Sequence, residues 1–176
     1  GLVFQDAVRL LFEGRFGQAM KKATEAHGAG TAPGLSALIA ARAAQRMREP
    51  EKQQYWLEHA RTDDPRTEAA TLMLDAEMAN EERRFDEALA ALEKLQGKQG
   101  RHIAALRLEL RARQGLGDWD GVLKLARQMI KRDALPLEVV REVFTQAHLG
   151  NIAKRVADQG KLTSYLRTIP DDERGR

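Results

Sequence analysis

Four histidines carry most of the chemistry that this chain could perform: His27, His59, His102 and His148. No two of them stand three or four residues apart, so no single helix face presents a histidine pair. With no cysteine in the chain, a structural zinc site is not expected. His59 follows Tyr55 by four residues, which places both on one face of a helix. An imidazole so placed could serve as an axial ligand to heme iron. Otherwise the four read as surface or capping histidines. Two stretches are glycine-rich, "GAGTAPG" (Gly28–Gly34) and "GLGDWDG" (Gly115–Gly121). Neither has the spacing of a phosphate loop or a strand before it, so both read as helix stops and turns. No Ser-His-Asp order and no isolated carboxylate pair stands out, and no catalytic residue is assigned.

Arg107, Arg111 and Arg113 fall on one helix, with Arg101 near its start, and the sequence pI is about 9.3. Nucleic-acid binding is therefore an alternative, weakened because no aromatic residues are interleaved to stack on bases. The charge is unevenly spread. Residues 1–48 hold 7 basic and 3 acidic side chains, residues 49–96 hold 6 and 13, and residues 97–168 hold 14 and 7. An acidic middle thus lies between basic flanks. This is either ordinary solvated helix surface or, towards the C-terminus, a basic face for an acidic partner.

The elements that must position these groups are helices. Ala, Leu, Glu, Arg and Gln dominate, and alternating runs of Val, Ile, Thr, Tyr and Phe are missing. No apolar stretch reaches the roughly 18–20 residues that span a bilayer. The chain opens on Gly1-Leu2 without an initiator Met, which reads as the cut end of a longer protein.

The strongest pattern is a repeat. "ERRFDEALAALEKL" (Glu82–Leu95) and "LGDWDGVLKLARQM" (Leu116–Met129) have the same shape, and Phe85 and Trp119 lead their apolar runs. Continued backwards, the same slot holds Pro50 and Phe16, with steps of 34, 35 and 34 residues. A period near 34 suggests tandem helical hairpins of the tetratricopeptide type. Three positions past the marker lie Ala19, Gln53, Ala88 and Val122. Ten past it lie Ala26, Ala60, Leu95 and Met129, and nine before it lie Ala7, Ala41, Ala76 and Leu110. Small residues at these slots allow two backbones to approach. Pro50, Gln53, Leu110 and Val122 depart from the pattern.

The expected architecture is all-α, a right-handed α-solenoid of tetratricopeptide-type hairpins. Four repeats fill residues 1–135 (about 1–31, 32–65, 66–100 and 101–135). An irregular fifth hairpin takes 136–170, and 171–176 is a frayed polar tail. Helices are expected at 2–13, 16–27, 34–47, 51–62, 66–81, 85–96, 101–115, 119–132, 137–149, 151–159 and 161–168, with the last hairpin able to run as one long helix through Gly150. "QGKQG" (Gln96–Gly100) reads as a loop. Leu72, Leu74, Leu89, Leu92, Leu106, Leu108, Leu123 and Leu125 are core candidates. Phe4, Val8, Leu11 and Phe12 crowd the first helix, as if upstream sequence covered it.

"LSALIAARAAQRMREPEKQQYWLEHA" (Leu35–Ala60), followed by "ERRFDEALAALEKL", resembles the HemY family of bacterial inner-membrane proteins associated with heme biogenesis. The resemblance extends from "LLFEGRFGQAMKKATEAH" through "GLGDWDGVLKLARQMIK". It implies two membrane helices upstream of Gly1 and a repeat domain on the cytoplasmic face of the inner membrane. It also implies heme-biosynthesis enzymes as partners. It brings no catalytic residue to any numbered position. An unrelated flavin oxidase shares the name, but no strand followed by G-x-G-x-x-G occurs here.

In such a stack the first helix of each hairpin lines a groove. Slots three and four apart place Leu38, Arg42, Gln45 and Arg46 there in the second repeat, Met73, Glu77, Asn80 and Glu81 in the third, and Arg107, Arg111 and Gln114 in the fourth. Arginines there could hold partner carboxylates bidentately. Some proteins with this repeat grip a C-terminal carboxylate with Lys and Asn at fixed slots. Those slots hold Leu38/Arg42, Met73/Glu77 and Arg107/Arg111, so that clamp is not expected. The expected function is a non-catalytic protein-interaction scaffold without a cofactor, the soluble domain of a membrane-anchored protein linked to heme biosynthesis. Direct heme or porphyrin binding through His59 is the alternative, and nucleic-acid binding the third.

Overall fold

The computed structural model describes residues 1–99 and 102–175, with the side chains of 96–99 excepted. Among the described residues the regular structure is entirely helical. The chain divides into two compact units, Gly1–Met78 and Ala79–Arg176. The first contains α1 (Leu2–Phe12), α2 (Phe16–Gly28), α3 (Pro33–Arg46) and α4 (Pro50–Asp63), a 3-10 turn at Pro65–Thr67, and most of α5 (Glu68–Glu81). The second contains the end of α5, then α6 (Phe85–Gln99), α7 (Ile103–Leu116), α8 (Trp119–Lys131), α9 (Leu137–Ala153) and α10 (Gln159–Thr168), and a 3-10 turn at Asp171–Glu173.

The four marker residues open four helices. Phe16, Pro50, Phe85 and Trp119 are the first residues of α2, α4, α6 and α8. Two positions before each stands a residue in the left-handed region: Gly14 (φ 77°), Arg48 (58°), Arg83 (61°) and Gly117 (67°). The hydrogen bonds there are the same four times. The left-handed N–H donates to the carbonyl three residues back, as in Gly14 to Leu11 and Gly117 to Gln114. The next N–H donates to the carbonyl five back: Arg15 to Leu10, Glu49 to Ala44, Arg84 to Ala79 and Asp118 to Arg113. This paired closure satisfies the orphan carbonyls at a helix end and turns the chain sharply. At the 34-residue period this backbone device is supplied twice by glycine and twice by arginine, and the same closure also ends α2 at Gly30 and α8 at Asp133.

All twelve small-residue slots are buried. Ala7, Ala19, Ala26, Ala41, Ala60, Ala76 and Ala88 have no exposed surface, and Gln53, Leu95, Leu110, Val122 and Met129 are at most 6% exposed. In the first unit α3 is packed on most of its circumference. Ala37, Ala40, Ala41, Ala43 and Ala44 are fully buried as α3 meets α1, α2 and α4. In the second unit Leu110, Val122 and Met129 replace alanines and form one cluster with Leu106, Leu125 and Phe144. The departures from small residues therefore fill core volume. Of the leucines expected in the core, Leu72, Leu92, Leu106, Leu123 and Leu125 are buried, and Leu74, Leu89 and Leu108 are half-buried.

Three expectations are corrected. Helix α9 runs through Gly150 to Ala153, as the long-helix reading allowed. Residues 154–157 form turns, so no separate helix spans 151–159. Helix α6 continues to Gln99, so Gln96–Gln99 are helical rather than loop. Gly100 and Arg101, and with them the expected repeat boundary, lie outside the described residues. The C-terminal stretch is docked, not frayed, through Glu173. On α1, Phe4, Val8 and Leu11 pack against the core of the first unit, while Phe12 and Leu2 stay exposed.

Candidate functional site

The first-helix face is more occupied by structure than its sequence slots indicated. In the first unit Leu38 is buried in the core between helices, not lining a groove. Arg42 is half-buried; its guanidinium meets Glu77 on α5 at 3.3 Å and donates to Gln45 Oε1 at 2.7 Å. Arg46 is exposed, and Met73 is half-buried. In the second unit Asn80 is buried, its Nδ2 donating to the Leu108 carbonyl at 3.0 Å. Arg107 donates to the Ala134 carbonyl at 3.2 Å, beyond the end of α8. Gln114 donates to Gln146 Oε1 at 2.9 Å. Arg111 is exposed. Three of these links join successive first helices: α3 to α5, α5 to α7 and α7 to α9. Side chains assigned to a partner thus partly serve to hold neighbouring hairpins in register.

Arginines 107, 111 and 113 do not form one surface. Arg113 turns away from the other two, donating to Glu109 at 3.3 Å and to Asp118 at 2.7 Å. Asp118 in turn caps α8 by accepting from the Gly121 N–H at 3.1 Å. Beside this pair a cleft of about 780 Å³ opens between α7 and α8, with Lys124, Lys131 and Arg132 on its α8 wall. The sequence reading missed this surface, whose signal would have been Lys124 and Lys131, seven residues apart on α8.

The histidines are the largest departure. His27, in the last turn of α2, and His59, near the end of α4, come together although 32 residues separate them. Asp63 joins them. Its Oδ2 accepts from His27 Nε2 at 2.6 Å and from His59 Nδ1 at 3.3 Å. One coordinating atom from each of the three lies within 4.8 Å of the other two. The rings form an aromatic cluster: Trp56 is 5.1 Å from His27 and 5.6 Å from His59, and Tyr55 is 4.5 Å from His59. The hydrogen bond from His27 holds the Asp63 carboxyl below the usual aspartate range, against a smaller opposing effect of burial. The His59–Asp63 spacing was visible on one helix, but His27 arrives only through packing.

His148 is not a surface residue; it is 6% exposed. Both ring nitrogens are engaged, Nδ1 with the Tyr165 hydroxyl at 2.7 Å and Nε2 with Glu173 Oε1 at 2.8 Å. Asn151 donates to that hydroxyl at 3.0 Å and to Asp120 at 3.1 Å, and Arg127 reaches Glu173 with two N–H groups at 2.9 and 2.8 Å. With Nε2 protonated, donors and acceptors match from Asp120 to Arg127. Burial pushes the Glu173 carboxyl up, but the hydrogen bonds from Arg127 and His148 together outweigh it and leave it lowered. His102 is exposed and precedes α7.

No described helix is long and apolar enough to cross a membrane. No family model, curated protein or solved structure matches the chain.

Proposed function

We propose that the chain is a non-catalytic protein-interaction scaffold, built as a right-handed tetratricopeptide-type solenoid. The observation that carries this reading is the recurrence of one turn before α2, α4, α6 and α8, each with a left-handed residue and the same two hydrogen bonds, at steps of 34, 35 and 34 residues. A chain that repeats one hairpin presents the same helix face several times, and an extended partner can engage several copies of it. The first-helix links Arg42–Glu77, Asn80–Leu108 and Gln114–Gln146 further support stacking of neighbours. Arg46 and Arg111 are exposed on that face. With the basic excess of residues 97–168, they suit an acidic segment of a partner. Placement on the cytoplasmic side of a bacterial inner membrane, among heme-biosynthesis enzymes, rests on the sequence resemblance.

The test is site-specific photo-crosslinking in cells, with the reactive residue placed at Arg46, Arg111 or Lys124 of the intact protein. A common partner captured from Arg46 and Arg111 supports docking on first-helix faces. Capture from Lys124 alone would move the docking surface to the α7–α8 cleft. No specific product from any position would overturn the scaffold reading.

A second reading, direct heme binding, is favoured by one observation. The Asp63 carboxylate accepts from His59 Nδ1, the kind of outer hydrogen bond that orients a metal-bound imidazole. A hemin titration with the Soret band as readout, repeated on His59→Ala, separates it from the first.

A further inference from the structure

We propose that His27, His59 and Asp63 form a binding site for one divalent transition-metal ion of the zinc type, tying the end of α2 to the end of α4. The donor set comes first. Two imidazole nitrogens and one carboxylate oxygen suit zinc, cobalt, nickel or copper, whereas calcium and magnesium select oxygen. The geometry is close to what such an ion needs. Tetrahedral bonds of about 2.0–2.1 Å keep ligand atoms roughly 3.3 Å apart. His59 Nδ1 stands at 3.3 Å from Asp63 Oδ2, and His27 Nε2, at 2.6 Å, needs to withdraw by only a fraction of an ångström.

The surroundings favour a cation. α2 ends at Gly28 and α4 at Asp63, so the negative ends of two helix dipoles converge here. Trp56 and Tyr55 pack on the two imidazoles edge-on or tilted, which limits their rotation and lowers the cost of ordering the ligands. The three side chains keep 21%, 35% and 26% of their surface exposed, so an ion can enter and retain water in the remaining coordination positions. The Thr62 hydroxyl donates to the Glu58 carbonyl at 3.1 Å and lies 3.4 Å from the other carboxylate oxygen, Oδ1. Oδ2, which already faces both imidazoles, is the oxygen placed for the metal. Because the ligands come from different hairpins, binding links the first hairpin to the second and stabilises the folded chain by mass action.

The test uses the full 176-residue chain without any affinity tag. Zn²⁺ binding is measured by calorimetry, and Co²⁺ binding by its visible absorption and by quenching of Trp56 emission in a Trp119→Phe background. The expected result is one equivalent of Zn²⁺ bound, a rise in melting temperature on adding it, and no response to Mg²⁺ or Ca²⁺. His27→Gln, His59→Gln and Asp63→Asn each keep a hydrogen-bonding group at the position. Each should weaken Zn²⁺ binding by at least about tenfold, since even outer-shell partners are worth roughly 10–100-fold. Circular dichroism of each variant separates lost ligands from lost fold. If one variant unfolds, the other two decide. Wild-type protein that neither binds Zn²⁺ nor is stabilised by it, or folded variants that bind as tightly as wild type, would overturn the proposal and leave the cluster as hydrogen bonds alone.

Discussion

The ring of Phe85 lies against the backbone of Gly115, so closely that a Cβ on that glycine would overlap the ring. Trp119 and Gly150 repeat the relationship one hairpin later. In each pair the aromatic opens the second helix of one hairpin, and the glycine sits in the last turn of the first helix of the next, α7 or α9. Glycine costs up to about 1 kcal/mol relative to alanine within a helix, which is accepted here to let a ring approach the backbone.

Gly115→Ala should therefore destabilise the protein. The propensity gain of about 1 kcal/mol is set against an overpacking cost of about 1–3 kcal/mol, and the flat ring has no flexible end to move aside. In a Phe85→Ala background the overlap is gone, and the same Gly115→Ala change should stabilise by up to about 1 kcal/mol. Urea denaturation of the four proteins checks the change of sign. An equal effect in both backgrounds would mean that the ring does not sit on this glycine.

The turn before the second helix gives a prediction of opposite sense. Arg48 holds φ at 58° with its side chain exposed, where Gly14 and Gly117 stand in the matching turns. Arg48→Gly removes the left-handed penalty and should stabilise by up to about 1 kcal/mol, whereas Gly117→Ala should destabilise by a similar amount. Thermal melts of both variants test the pair.

Glu173 couples the C-terminal turn to pH. Its carboxyl is held below the ordinary value of 4.5. The stability it contributes is therefore fully present above pH 4.5 and is lost as pH falls through its lower, folded value. Glu173→Gln should cost about 1.5–3 kcal/mol at pH 7, the worth of hydrogen bonds to a charged group. The difference in melting temperature between wild type and variant should shrink steadily below pH 4.5. A constant difference down to pH 2 would show that the carboxylate is not what docks this segment.

Arg111→Glu should weaken binding of an acidic partner by on the order of tenfold, about 1.4 kcal/mol, while stability stays within about 0.5 kcal/mol of wild type. Arg107→Glu is a poorer probe. It also loses the hydrogen bond to the Ala134 carbonyl, so its melting temperature should fall. Binding affinity and melting temperature measured on both variants separate the two roles.

Much of the architecture was legible in the chain because local and repeated signals agree. The first residue of three second helices, the start of the other to within one residue, and all twelve small-residue slots were readable from spacing alone. The groove assignments fared less well. Slot arithmetic tells which way a side chain points from its own helix, but not what the neighbouring helix brings against it. Leu38 and Asn80 are buried for that reason, and Arg107 is spent on a carbonyl 27 residues away. The polar stretch "DDERGR" gave no hint of docking, since a single carboxylate facing His148 and Arg127 leaves no periodic trace.

By itself the sequence determined the helical class, the period, and where the first four hairpins turn, because these follow from propensity, apolar spacing and backbone demands within a few residues. Only the tertiary structure decided which distant side chains meet. It brought His27 to His59 and Asp63, turned Arg113 away from Arg111, and closed the network around His148. Such pairings depend on the rotation of one helix against another, and packed side-chain volumes across the interface set that rotation, not any short stretch of residues.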